Sequence, residues 1–134
     1  MSEADGVGIP VTRITPRFNE TDALGHINNA VMSVWFEVAR TDALNYLRDG
    51  PRSEGRWLVA SVTLDYLRET FYGSDVTINM SRVFAGNTSL TMECEMHQNN
   101  ELVVKGKAVL VHVDMDSKAK LRVPDVMREK LATL

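Results

Sequence analysis

Most of the polar chemistry of this chain is concentrated in one run, Asn19-Glu20-Thr21-Asp22-Ala23-Leu24-Gly25-His26-Ile27-Asn28-Asn29. The run separates an alternating segment from a long apolar one, so it joins a strand to the start of a helix. Free N–H groups at a helix start, aided by the macrodipole, stabilise an oxyanion or a polarised carbonyl. A carboxylate a few residues upstream, here Asp22, can reach the same spot as nucleophile or general base. An ester or thioester carbonyl placed between them is attacked from one side and polarised from the other. Thioesters suit such a sparse site, because the thiolate leaves without a strong general acid. The same residue types also build ordinary loops: Asp22 can close an Asx-turn and Asn28 can cap a helix. Residue types alone leave both readings open.

The elements around the run must position it. Val11 to Phe18 alternates as a strand, with Ile14 and Phe18 on one face and Arg13 and Arg17 on the other. From Asn29 to about Arg48, apolar residues recur at helical spacing and leave only a narrow polar stripe of Ser33, Glu37 and Arg40. A helix apolar nearly all round is buried on most sides. Asn28 is its expected N-cap, and Asp49-Gly50-Pro51 its expected stop. Strand patterns follow. In Trp57 to Tyr66, Leu58, Ala60, Val62, Leu64 and Tyr66 share one side; Val76, Ile78, Met80 and Phe84 share another; and Leu90, Met92, Cys94 and Met96 alternate with polar partners. Gln98-Asn99-Asn100 signals a hairpin into a strand from about Leu102 to Val113, and a short helix begins near Pro124. The order predicts an α+β domain, an antiparallel sheet of about five strands wrapped around one long helix, with a short C-terminal helix.

Length and composition bound the rest. The 134 residues suffice for one domain, a tail of residues 1–10 that should be mobile and a domain over 11–134. A formal charge of -3 argues against a dedicated nucleic-acid binder. The first ten residues have no basic or apolar leader pattern, and no apolar run approaches the ~20 residues of a membrane span, so a cytoplasmic protein is expected. The single cysteine, Cys94, fits a reducing compartment and reads as core filler rather than nucleophile. His97 and His112 have no second ligand at metal spacing, and no Gly-x-Ser-x-Gly elbow is present.

The run TDALGHINNAVMSVWFEVAR resembles the acyl-CoA thioesterases of the 4-hydroxybenzoyl-CoA thioesterase group, which carry an Asp-x-x-Gly-His-Val-Asn-Asn-like segment followed by a helix ending in Phe-Glu-x-Ala-Arg. The resemblance extends over about residues 11–131, through Asp65-Tyr66, the Tyr72-to-Asp75 turn, the Arg82-to-Ser89 bend and Arg122-Val123-Pro124. It implies a hotdog fold and hydrolysis of an acyl-CoA to a carboxylic acid and free coenzyme A, without metal or cofactor. It assigns Asp22 as the catalytic carboxylate and the backbone N–H of about Asn29 as oxyanion donor, with Asn28 and His26 shaping the loop. Plant acyl-carrier-protein thioesterases have Asn where this chain has Leu24, which weakens transfer of their Asn/His mechanism. Some hotdog thioesterases place the working carboxylate on the central helix, which makes Glu37 a second candidate. Its alternative is an ion pair with Arg40.

The resemblance further implies coenzyme A contacts from basic residues near the sheet ends, here Arg68, Arg82, Lys105 and Lys107. Met32, Trp35 and Phe36 are the candidates to line an acyl tunnel, although helical spacing makes them core residues as well. Members of the family pair two domains edge to edge with sites at the subunit interface, so a homodimer or a homotetramer built as a dimer of dimers is expected. Two alternatives share the fold: a hydroxyacyl-thioester dehydratase with His26 drafted as base, and a non-catalytic acyl-CoA-binding protein.

Overall fold

The computed structural model describes residues 8–48 and 55–134. Strand β1 (Thr12–Ile14) leads through a 3-10 turn (Phe18–Glu20) and the polar run to helix α1 (Asn29–Leu47). Four long strands follow, β2 (Gly55–Tyr66), β3 (Val76–Ala85), β4 (Ser89–Gln98) and β5 (Glu101–Asp114), and α2 (Asp125–Ala132) closes the chain. All pairings are antiparallel, in the order β1-β3-β4-β5-β2. This is the expected α+β hotdog arrangement.

Helix α1 packs Met32, Trp35, Phe36, Ala39, Ala43 and Leu47 against the inward residues of β3, β4 and β5. Gly106 on β5 permits the close approach: a Cβ there would stand 2.9 Å from the Phe36 ring. The hairpin expected at Gln98-Asn99-Asn100 is present, with Asn99 and Asn100 at φ 52° and 64°, the left-handed pair of a two-residue turn. Ile9 is 3% exposed and packs within the core. Residues 1–7 of the expected tail, and the expected stop at Asp49-Gly50-Pro51, lie outside the described residues.

Four expectations are corrected. The first strand ends at Ile14, because Pro16 cannot donate to a ladder; Phe18 opens the 3-10 turn and is 75% exposed. Helix α1 is not covered on most sides, since Val34 and Val38 are 55% and 43% exposed. Arg40 faces the core at 7% exposure, so it neither joins the polar stripe of Ser33 and Glu37 nor pairs with Glu37. Finally, β-bulges break two alternations. One between Val59 and Ser61 puts Leu58 on the face opposite Val62, Leu64 and Tyr66. Another between Met80 and Arg82 turns Val83 inward and Phe84 outward. A bulge adds one residue and reverses every side chain beyond it.

Candidate active site

The run between β1 and α1 is held by backbone bonds on both sides. Asp22 and His26 close a tight loop, the Asp22 amide donating to the His26 carbonyl at 2.7 Å, with Gly25 at φ 81° making the reversal. Ile27 N–H donates to Thr70 O at 2.8 Å, and Asn28 N–H to Glu20 O at 2.9 Å. Glu20 also accepts from the Trp35 indole at 3.1 Å and from the Arg17 amide at 2.7 Å, so its carboxylate is a fastener between loop and helix. The segment that His26 bridges, Phe71 to Ser74, is pinned by the buried Gln98. Its Oε1 accepts from Phe71 N–H at 3.0 Å, and its Nε2 donates to Phe71 O and Ser74 O at 2.7 and 2.9 Å.

Within this frame Asp22 makes the Asx-turn, and the bond does not consume its chemistry. Oδ1 accepts from the amides of Leu24 at 2.8 Å and His26 at 3.2 Å, while Oδ2 has no partner among the described residues. The helix start shows the same division. Asn28 caps α1, its Oδ1 accepting from Ala30 N–H at 2.9 Å, and its carbonyl accepts from Val31 N–H at 3.0 Å. The Asn29 amide is left without an acceptor among the described residues. Asp22, Asn28 and Asn29 line one open cleft of about 540 Å³, shared with Leu24, His26 and Arg68. Asp22, with one unpartnered carboxylate oxygen, and Asn29, with an unpartnered amide, thus line the same cleft.

Of the cleft residues not singled out from the sequence, two bring side chains to the loop and the helix start. Glu69 stands 3.1 Å from Nε2 of His26, and Tyr66 donates its hydroxyl to the Asn29 carbonyl at 3.3 Å. Glu69 and Tyr66 come from the end of β2 and the segment after it, far along the chain from the loop. The β-bridge of His26 with Phe71, together with the Ile27 N–H bond to Thr70 O, brings that segment to the loop.

The other sequence candidates separate. Arg68 lines the Asp22 cleft and pairs loosely with Glu101 at 3.4 Å. Arg82, Lys105 and Lys107 lie on the opposite face of the sheet in another cleft of about 440 Å³, where Asp65, Glu93 and Glu95 balance them. Met32, Trp35 and Phe36 are 1%, 4% and 1% exposed in the core and do not line the Asp22 cleft. Glu37 is exposed on α1, away from that cleft. Cys94 is buried against the Met80 sulfur at 3.4 Å, and burial pushes its thiol up to about 12, the state of an inert core residue. His112 stacks on Trp57 and bonds the Arg122 carbonyl through Nδ1. Among the described residues, no three His, Cys, Asp or Glu side chains gather as a metal site would need.

Comparison with known proteins accords with this geometry. The chain is 28% identical over 123 residues to an uncharacterized protein of Bacillus subtilis (strain 168), YsmA, covering 89% of this chain and 82% of that protein. Its fold superposes on a predicted thioesterase from Bacillus stearothermophilus with a TM-score of 0.82 at 38% identity, covering 92% of this chain and 93% of the other. It also superposes on a thioesterase from Thermus thermophilus, solved with coenzyme A and Zn, with a TM-score of 0.75 at 33% identity, covering 90% and 95%. Residues 16–131 match the profile of the thioesterase-like superfamily, and the chain belongs to that superfamily.

Proposed function

We propose that this protein is an acyl-CoA thioesterase, cleaving R–CO–S–CoA to a carboxylic acid and free coenzyme A. The observation that carries the reading is the pair of unpartnered groups on one cleft, Asp22 Oδ2 and the Asn29 N–H. The thioester carbonyl oxygen points at Asn29 N–H and the positive end of α1, which stabilises the charge that develops there. Asp22 Oδ2 then acts in one of two ways. As nucleophile, it adds to the carbonyl carbon, the C–S bond breaks, thiolate leaves, and water hydrolyses the resulting anhydride. As general base, it takes a proton from water while the oxygen of that water adds to the carbonyl carbon; the adduct then collapses, the C–S bond breaks, and the thiolate leaves and takes up the proton. Arg68, on the rim of the cleft, meets a phosphate of coenzyme A more strongly than it meets the exposed Glu101. The 4-hydroxybenzoyl-CoA thioesterase group remains our assignment within the superfamily, and a homodimer, or a dimer of dimers, the working unit. The exposed Val34 and Val38 of α1 support a covered interface.

The decisive variant is Asp22→Asn, which keeps an oxygen for the Leu24 and His26 amides but removes the charge. It should stay folded and release thiol from acyl-CoA at least on the order of a hundredfold more slowly than wild type. Wild-type release would overturn the assignment. A second reading has one observation in its favour: the His26–Glu69 pair supplies the imidazole and acid that a hydroxyacyl-thioester dehydratase uses. Enoyl product formed without thiol release would select it, whereas saturable acyl-CoA binding with neither product would mark a binding protein.

A further inference from the structure

Met32, Trp35 and Phe36, the residues expected to line an acyl tunnel, are packed in the core, and other apolar side chains stand on the Asp22 cleft. Leu24, Tyr66 and Leu67 are 76%, 43% and 52% exposed, on a cleft that they share with Asp22 and Asn29. Each is tied by its backbone or its polar end, which leaves the apolar part uncovered. The Leu24 amide donates to Asp22 Oδ1 at 2.8 Å, in the turn that Gly25 reverses, so one bond sets both the carboxylate and the leucine in place. The Tyr66 hydroxyl donates to the Asn29 carbonyl at 3.3 Å, which keeps its ring beside the helix start. The Leu67 amide donates to Val103 O at 2.9 Å. Turns favour Gly, Asn, Asp and Ser, so the leucine at position 24 is not explained by the turn. A single exposed leucine is ordinary, but three apolar side chains gathered on a cleft with a few convergent polar groups have the composition of a ligand site.

We infer that Leu24, Tyr66 and Leu67 form an acyl shelf, and that the substrate class is an acyl-CoA whose acyl group has several carbons and is apolar to its end, selected by Leu24. The inference rests on the thioesterase reading given above and names its substrate. With the thioester carbonyl at the Asn29 amide, the first acyl carbons meet the Tyr66 ring and the following ones reach the two leucines. Arg68, on the same cleft, is left for the phosphate end of coenzyme A. A carboxylate at the chain end is rejected for two reasons. The leucine side chains cannot hydrogen-bond it, so its lost hydration is not replaced, and Asp22 and Glu69 on the same cleft repel it. A shelf covers a chain on one side, so each methylene raises kcat/KM by no more than about fourfold, the value of full burial.

The test is an acyl series on wild type, Leu24→Ser and Leu24→Met, substitutions that keep the backbone amide bonded to Asp22. Wild type should cleave hexanoyl-CoA with a kcat/KM on the order of tenfold or more above that for acetyl-CoA, and above that for adipoyl-CoA, whose chain of equal length ends in a carboxylate. Leu24→Ser should lower the hexanoyl-to-acetyl ratio on the order of tenfold, and Leu24→Met should keep it. A wild-type ratio near one, or a ratio that Leu24→Ser leaves unchanged, would overturn the shelf. An equal loss for both acyl groups would assign Leu24 to the coenzyme A arm, and a changed sedimentation coefficient would assign it to a subunit contact; either overturns the shelf as well. Calorimetry with S-hexyl-coenzyme A and S-methyl-coenzyme A, thioethers that are not hydrolysed, reads the shelf without turnover. The hexyl compound should bind wild type on the order of tenfold more tightly than the methyl compound, and Leu24→Ser should remove the preference. Equal affinities in wild type overturn the shelf. A wild type that prefers the hexyl compound but releases no thiol from any acyl-CoA would overturn the thioesterase reading and leave the shelf as an apolar ligand site.

Discussion

The His26 imidazole lies 3.1 Å from a Glu69 carboxylate oxygen and stands edge-on to Phe71, with ring centroids 5.0 Å apart. The same residue donates its backbone N–H to Asp22 Oδ1, so the pair steadies the turn that holds the carboxylate proposed as catalytic. Glu69 is mostly exposed, and an exposed ion pair contributes only about 0–1 kcal/mol. Glu69→Ala should therefore leave the thermal midpoint nearly unchanged while lowering kcat on the order of tenfold through misplacement of Asp22. Glu69→Gln, which keeps a hydrogen-bond acceptor for the ring, should recover most of it. Steady-state thiol release by the three proteins checks this, and equal kcat for Glu69→Ala and wild type would remove Glu69 from the site.

Asn28 is a cap as well as a site residue. Its Oδ1 accepts from Ala30 N–H at 2.9 Å, and no other side chain caps the start of α1 among the described residues. Asn28→Ala should cost about 1 kcal/mol and lower the thermal midpoint by a few degrees, whereas Asn28→Asp should hold or raise it, since a carboxylate also favours a helix start. Calorimetry of the two variants separates capping from chemistry. A parallel fall in thiol release for Asn28→Ala, with Asn28→Asp spared, would show that the cap also orients the Asn29 N–H.

These relationships were unequally legible in the sequence. The loop, its cap and the hairpin at Asn99-Asn100 could be read because each depends on residues close in the chain and on specific backbone conformations. Long-range and alternation-breaking features could not. Ala60 and Ser81 carry no mark of a bulge, and each reverses the faces of the residues beyond it, which is why Leu58 and Phe84 stand opposite to expectation. Arg40 fits a helical polar stripe by spacing, yet α1 turns it toward the sheet. Glu69 gives no sign of its pairing with His26, because the β-bridge that joins them spans two distant segments. The basic residues were legible as charges but not as neighbours, so Arg68 reached the cleft while Arg82 and Lys105 went to the other face.

The contact between α1 and the sheet predicts a narrow tolerance at Gly106. A methyl group there would meet Cε1 and Cδ1 of Phe36 at 2.9 and 3.0 Å and Cδ2 of Leu64 at 3.1 Å. Phe36 is 1% exposed and cannot swing away. Gly106→Ala should destabilise the fold by about 1–3 kcal/mol, the ordinary cost of overpacking. The double variant Gly106→Ala with Phe36→Leu should recover part of that loss in chemical denaturation, because the smaller side chain vacates the space. Additive losses would mean that the clash is relieved elsewhere.

Cys94 makes the stability of the domain depend on alkaline pH. Its thiol is buried beside Met80, and burial raises it from the ordinary 9.0 to about 12; the nearby Arg40 guanidinium partly opposes the shift and Glu93 adds to it. In the unfolded chain the thiol ionises above pH 9, whereas in the folded chain it stays protonated until about pH 12. The folded state therefore binds the extra proton throughout that window, so the stabilisation is complete below pH 9 and is lost as pH rises toward 12. A single proton gives a slope approaching about 1.4 kcal/mol per pH unit. Other groups titrate in the same range, so the measurement is a difference: denaturation of wild type and of Cys94→Ala at steps from about pH 8 to about pH 11, which bracket the onset of thiol ionisation in the unfolded chain. The variant starts less stable because of the small cavity, and the gap should narrow as pH rises. A gap that stays constant over those steps would mean that the buried thiol ionises as readily as one in water.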